Sequence, residues 1–221
     1  MWVEELISRF RDAALDREVP HFWSDEEVVS YLNEAVQEAC ERARLIEDRS
    51  TPSVCSVSVL AGESTYRLHA SVLEIKRLTL DGRLLTETSI EELDAEHLGW
   101  ESRSGRPQRF VFEQPTGAVP PRIRLVPTPN QTGSVALTVY RGPLKLLDVD
   151  SGSPEIHARF HEHLLHWMLH RAYQKHDAEA FDPNKAMDAL AMFVRAFGER
   201  PDANVQRKHR DRAPPIVRSN W

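Results

Sequence analysis

Cysteine is nearly absent from this chain: Cys40 and Cys55 are the only two in 221 residues. They cannot build a disulfide framework, so burial and polar pairing must hold the fold, and a reducing compartment is the simpler expectation. Long apolar runs are missing too. The stretch from Leu164 to Leu169 is interrupted by His166, well short of the ~18 uninterrupted apolar residues of a membrane span. No membrane segment is expected. Met1-Trp2-Val3-Glu4-Glu5 places acids where a secretory leader carries bases, which gives that route no support. There is no Gly-rich phosphate loop and no nucleophile elbow. Catalysis therefore has no sequence support: no enzyme activity, cofactor or metal is expected.

What is present is a globular composition, 41% hydrophobic and 28% charged, which excludes disorder of the whole chain. At a prior of about 150 residues per domain, the length allows one large domain or two small ones. Charge is uneven. Residues 1–49 hold 13 acids and 6 bases, while residues 199–221 hold 6 bases and 3 acids. An acidic head and a basic tail suit contacts between opposed surfaces of neighbouring chains.

Val3, Leu6, Ile7, Phe10, Ala13 and Ala14 recur at helical steps, and Val19-Pro20 ends that helix. Ser24 then supplies a cap, with Glu27 three residues on to reach back and Trp23 to staple onto Val28. The second helix is predicted from Ser24 to Ile46. After Thr51-Pro52 the period changes to two, through Cys55, Val57, Val59, Tyr66 and Leu68. Leu80-Asp81-Gly82-Arg83 is a strong hairpin signal. A short acidic helix is predicted near Ser89, with Leu93 and Leu98 inward, followed by a flexible 104–107. Strands are predicted at 110–112, 123–126 and 135–140, together giving a small antiparallel sheet or sandwich. Helical period returns after Ser153-Pro154, where Ile156, Phe160, Leu164, Trp167, Met168, Ala172 and Tyr173 share a face. Asp182, Pro183 and Gly198 bound the last helix, with Ala186, Met187, Leu190, Phe193, Val194 and Phe197 toward its core. The predicted fold class is α+β. N- and C-terminal helix pairs (1–50 and 153–198) form one helical bundle, with a small antiparallel β domain inserted (51–152) and an extended basic tail (199–221).

Two segments invite a chemical reading. Residues 157–170 contain five histidines, of which His163, His166 and His170 fall within an arc of roughly 60° on a helix. Three such imidazoles could hold a metal, yet no acid or thiol ligand accompanies them, and the two-His, one-Glu zinc-protease spacing is absent. A pH-sensitive or interface role is the better expectation for these histidines. Cys40 is expected to be a small core residue, and Glu26-Glu27 and Glu91-Glu92 serve helix starts. The tail is different in kind. It joins the bases Arg207, Lys208, Arg210 and Arg212 to Pro214, Pro215, Ile216, Val217 and Trp221. Bases steer and position, while the apolar residues anchor, which is a docking strap in outline. A nucleic-acid module using this tail is an alternative, as is a metal-dependent enzyme on the His-rich helix. A net charge of −6 disfavours the former.

The order of elements resembles a known family. The run Trp23-Ser24-Asp25-Glu26-Glu27-Val28-Val29-Ser30-Tyr31-Leu32-Asn33-Glu34-Ala35 is similar to the second helix of tailed-bacteriophage head-to-tail connector (adaptor) proteins of the tail tubular protein A type. So are Gly105-Arg106-Pro107, the strand Ile123 to Val126 with Pro127-Thr128-Pro129, Val139-Tyr140-Arg141-Gly142-Pro143, and Ala178 to Pro183 before the last helix. The resemblance implies a structural virion protein at the neck between capsid and tail, made in the bacterial host cytoplasm. Such adaptors form a ring, commonly of 12 copies, beneath the portal protein. The ring meets a downstream tail or nozzle protein and passes DNA through its channel without sequence-specific binding. In some members a C-terminal extension docks on the portal. The resemblance thus gives Arg207 to Trp221 a portal-docking role, with an adjoining adaptor as the other receiver.

Overall fold

The computed structural model describes residues 1–115, 118–150, 152–175, 177 and 180–201. The tail residues from Arg207 to Trp221 lie outside them, as does Ala178-Glu179. In chain order the elements are α1 (Val3–Ala14), α2 (Asp25–Ala43), β1 (Ile46–Asp48), α3 (Pro52–Cys55), β2 (Ser56–Val59) and β3 (Thr65–Arg67). Then come β4 (Val72–Leu80), β5 (Arg83–Glu87), α4 (Ile90–Glu96), β6 (Ser104–Gly105), β7 (Arg109–Glu113), β8 (Arg122–Val126), β9 (Thr128–Pro129) and β10 (Gly133–Arg141). Helices α5 (His161–Tyr173) and α6 (Pro183–Phe197) close the series. The protein is α+β, with six α-helices and a mostly antiparallel sheet among the described residues.

The chain divides into two compact units: residues 1–46 with 141–200, and a second centred on 47–140. The first is helical. Helix α5 packs on α1, α2 and α6, so segments far apart in sequence share one core. Phe10, Leu6, Leu32, Leu164, Met168 and Phe193 are fully buried there, which is where the apolar helix faces place them. Helix α2 begins as its sequence directs, with Glu27 N–H donating to Ser24 Oγ at 3.2 Å. The Glu27 side chain takes another course: it accepts from Tyr31 Oη at 2.7 Å and from Lys175 Nζ at 2.9 Å. Trp23 packs edge-on against Phe10 and Phe22. Helix α2 stops at Ala43, short of Ile46, because Arg44 turns left-handed and Ile46 joins β1.

Helix α5 corrects the expected start after Pro154. It begins at His161, after a 3-10 turn at Ala158–Phe160. The Glu155 carboxylate cannot serve a helix start because it pairs with Arg141 and accepts from Leu144 N–H. Helix α6 keeps its predicted bounds. Asp182 accepts from the N–H groups of Asn184 and Lys185 at 3.1 and 3.0 Å, and Pro183 occupies the first turn. Met187 is 62% exposed, not in the core.

The second unit holds the sheet, ordered β1-β10-β4-β5-β7-β8-β3 with β2 on β10. The β4–β5 hairpin turns at Asp81-Gly82, with φ of +48° and +80°, the two left-handed residues that match strand twist. The sheet is not wholly antiparallel: β5 and β7 run parallel, the connection being made through α4. The segment expected to be flexible is ordered instead, since Ser104-Gly105 pairs in parallel with Thr128-Pro129. Leu93, Trp100, Val111 and Val126 form a local core under α4. Leu98, expected inward, is 94% exposed, because α4 ends at Glu96 and Gly99 turns the chain left-handed.

Candidate assembly surface

One face of α2 borders a groove on the helical unit. Glu26, Val29, Ser30, Asn33, Glu34 and Gln37 line one wall, and Pro143, Leu146, Leu147, Asp148 and Val149 line the other. The cavity is about 540 Å³, in the range that seats a ligand or a few large side chains. Asn33 fixes the second wall. Its amide nitrogen donates to Leu147 O at 2.9 Å, and its oxygen accepts from Leu147 N–H at 2.8 Å. Gly142 lies close beside this wall: a Cβ there would meet Gln37 Oε1 at 2.9 Å, and the Gln37 amide would have to swing aside. Leu146 stands 80% exposed at the rim. The lining holds three acids and no base. Arg171 of α5 approaches Glu34 from outside the lining, at 2.7 Å.

At the other end of α2, Arg42 is held from several sides. Its guanidinium lies 5.5 Å from the Trp167 ring and 5.1 Å from the Phe193 ring, pairs with Glu38 at 3.1 Å and donates to Gly198 O at 3.2 Å. Arg42 is 7% and Glu38 14% exposed, so stacking and charge pairing act there with little screening. Just beyond, Arg200 donates to Glu41 at 2.9 Å and lies 3.6 Å from Glu38. The chain after α6 is thereby tied to the C-terminal half of α2. Sequence reasoning missed both features. Arg42 reads as an outward charge on the helix wheel, and residues 143–149 have no period.

A second polar cluster joins α1 to α2. Arg11 donates to Asp16 at 2.8 Å and to Trp23 O at 3.2 Å, and pairs with Asp25. Asp16 in turn accepts from Phe22 N–H at 2.8 Å. Arg11 and Asp16 are 11% and 6% exposed. Both formal charges are answered, as burial demands.

The histidines separate rather than converge. The rings of His163 and His166 stack at 6.1 Å. His170 faces elsewhere: it is buried, donates through Nδ1 to Ala186 O at 2.7 Å and packs against Trp167. His161 is also buried; its Nε2 donates to Ile156 O at 2.9 Å, and its Nδ1 lies 3.0 Å from the N-terminal amine. Burial holds the His166 pKa below its usual value, and the neighbouring His163 adds to this. Among the described residues no three His, Cys, Asp or Glu side chains are grouped to hold a metal. Burial pushes the Cys40 thiol up to about 12, so at neutral pH it is a core side chain, not a thiolate. No described helix is long and apolar enough to cross a membrane.

The sheet unit has a recess of its own, about 410 Å³, lined by Leu93, His97, Trp100, Arg103, Ser104, Gln108, Arg109, Val126 and Pro127. Arg109 is engaged there by Glu96 at 2.7 Å.

The described residues thus form an α+β scaffold with an acid-rimmed groove on its helical unit. A family model described as SU10 adaptor protein matches residues 1–219, and the chain belongs to that family. It is a bacteriophage structural adaptor, consistent with the resemblance carried by its second helix and its proline-flanked strands. No curated protein matches the chain.

Proposed function

We propose that this protein is a head-to-tail adaptor that assembles as a ring beneath the portal, joins the capsid vertex to the tail and lines the DNA channel. Family membership over residues 1–219 is the observation that carries this reading. A ring repeats one contact between two different surfaces until it closes, and the chain offers opposed surfaces. Residues 1–49 carry 13 acids against 6 bases, and residues 199–221 carry 6 bases against 3 acids. Twelve copies are the expectation from the resemblance. Acids facing the channel would repel the DNA backbone, so the genome passes without sticking or sequence-specific binding. In this reading Arg207, Lys208, Arg210 and Arg212 steer the tail to a neighbouring surface of the vertex, either the portal or an adjoining copy. Pro214, Pro215, Ile216, Val217 and Trp221 complete the contact. His163 and His166 are placed near the end of α6 by the His163 contact with Phe197 and would tune an interface there. The protein acts in the virion neck, between portal and a downstream tail protein, with no catalytic step.

The test is negative-stain imaging of the purified full-length protein with the portal of the same phage. A closed ring stacked coaxially on the portal is expected. A chain that stays monomeric with and without portal would overturn the proposal.

A further inference from the structure

The groove on α2 has a composition that specifies its occupant. Its walls are apolar at Val29, Pro143, Leu146, Leu147 and Val149, its rim carries Glu26, Glu34 and Asp148, and its lining contains no base, Glu34 being met from outside it by Arg171. Such a site favours an extended segment with cationic side chains beside apolar anchors. This chain contains one strong match: clustered bases from Arg207 to Arg212, then Pro214-Pro215-Ile216-Val217 and Trp221. Two successive prolines restrict their backbone angles and lower the entropy lost on docking. A volume of about 540 Å³ takes a few anchor side chains rather than a folded domain.

The root of the tail points the same way. Arg200 is tied to Glu41, which also accepts from Gln37 at 2.8 Å, and Gln37 lines the groove. An acidic and amide stripe thus runs along α2 from the tail's root into the groove, and every copy presents it. Six residues separate Arg200 from Arg207, a reach of at most about 25 Å over seven extended steps, enough to cross to an abutting subunit. A strap seated on its own subunit would join nothing, whereas one passed to the next copy makes the heterologous contact that closes a ring.

We propose that the groove between α2 and residues 143–149 receives the basic segment Arg207 to Trp221 of an adjoining copy. This rests on the ring reading above and names the receiver of the tail.

Disulfide trapping with full-length chains tests it. A Leu146→Cys variant places a thiol on the exposed rim, and a Val217→Cys variant places one on the strap; native Cys40 and Cys55 are buried and do not compete. On mixing the two under mild oxidation, a linked pair containing one chain of each variant is expected. It is lost when Glu26→Lys is added to the Leu146→Cys chain. Absence of the mixed pair, indifference to Glu26→Lys, or internal closure of a chain carrying both cysteines as a monomer would each overturn the proposal. Imaging with portal separates the two readings. Rings seated on portal without the mixed pair sink the groove assignment alone, whereas a mixed pair with no portal assembly upholds the groove contact and sinks the connector reading.

Discussion

The helical unit and the sheet unit solve the same problem with different means. In the helical unit, segments from the two ends of the chain are drawn together, and charged side chains help close the long loops between them. Lys175 with Glu27 and Arg171 with Glu34 are of this kind, spanning 148 and 137 residues, while Arg11 with Asp16, Arg42 with Glu38 and Arg141 with Glu155 join residues no more than 14 apart. Several are largely buried. In the sheet unit the ladder from β3 to β8 and β7 supplies the pairing through backbone groups, and its ion pairs sit near the surface. Lys76 with Glu47 and Arg109 with Glu96 leave both partners more than a third exposed. The lesson is that charge becomes structural where side chains must supply the pairing, as in the buried pairs of Arg11 with Asp16 and Arg42 with Glu38, and stays superficial where strands already pair through their backbones.

Breaking that contrast should give effects in a definite order. Phe193→Ala removes a fully buried ring packed on Trp167, Phe197 and the Arg42 guanidinium, and should cost about 3–5 kcal/mol. It should be read as a lowered midpoint of the helical circular-dichroism transition. Next, Arg11→Ala leaves Asp16 buried without its cation, for about 3 kcal/mol or more. Arg109→Ala, the matched change in the sheet unit, should cost less than about 1 kcal/mol. Equal losses in urea melts would refute the contrast. Between them lies Gly82→Ala: a Cβ there meets nothing within 4 Å, so the loss of about 1–2 kcal/mol is that of the left-handed backbone alone. The smallest effect is a slope. His166 has its folded pKa below the unfolded value of 6.5, so the unfolded chain takes the proton first. Its contribution is present above pH 6.5 and declines as the pH falls through that value. A His166→Asn variant should therefore lose less stability than wild type between pH 7.5 and 5.5, both measured by thermal melts. An identical pH profile would count against it.

Much of the fold was legible because local chemistry and tertiary context agreed. Ser24 caps α2, Asp81-Gly82 turns β4 into β5, and Asp182 with Pro183 opens α6, each because the side chain or backbone angle needed is supplied within three residues. Illegible parts are those in which a distant partner outbid the local one. Glu155 follows Ser153-Pro154, where the sequence predicts a helix start, but is claimed by Arg141. Glu27 promised a reciprocal cap but is claimed by Lys175 across 148 residues. The His163, His166 and His170 arc is real on a helical wheel, yet Ala186 O of α6 takes His170 away. The groove was invisible for the same reason: its second wall hangs on Asn33 bonding a backbone segment 114 residues later. No period or spacing announces such a bond.

Arg42 has one mechanical consequence. With its guanidinium packed over two rings and donating to the carbonyl of Gly198 that ends α6, it fastens the root of the tail to helix α2. Tension applied at Arg200 would pass into the C-terminal half of α2 through Glu41, and from there into the core of the helical unit.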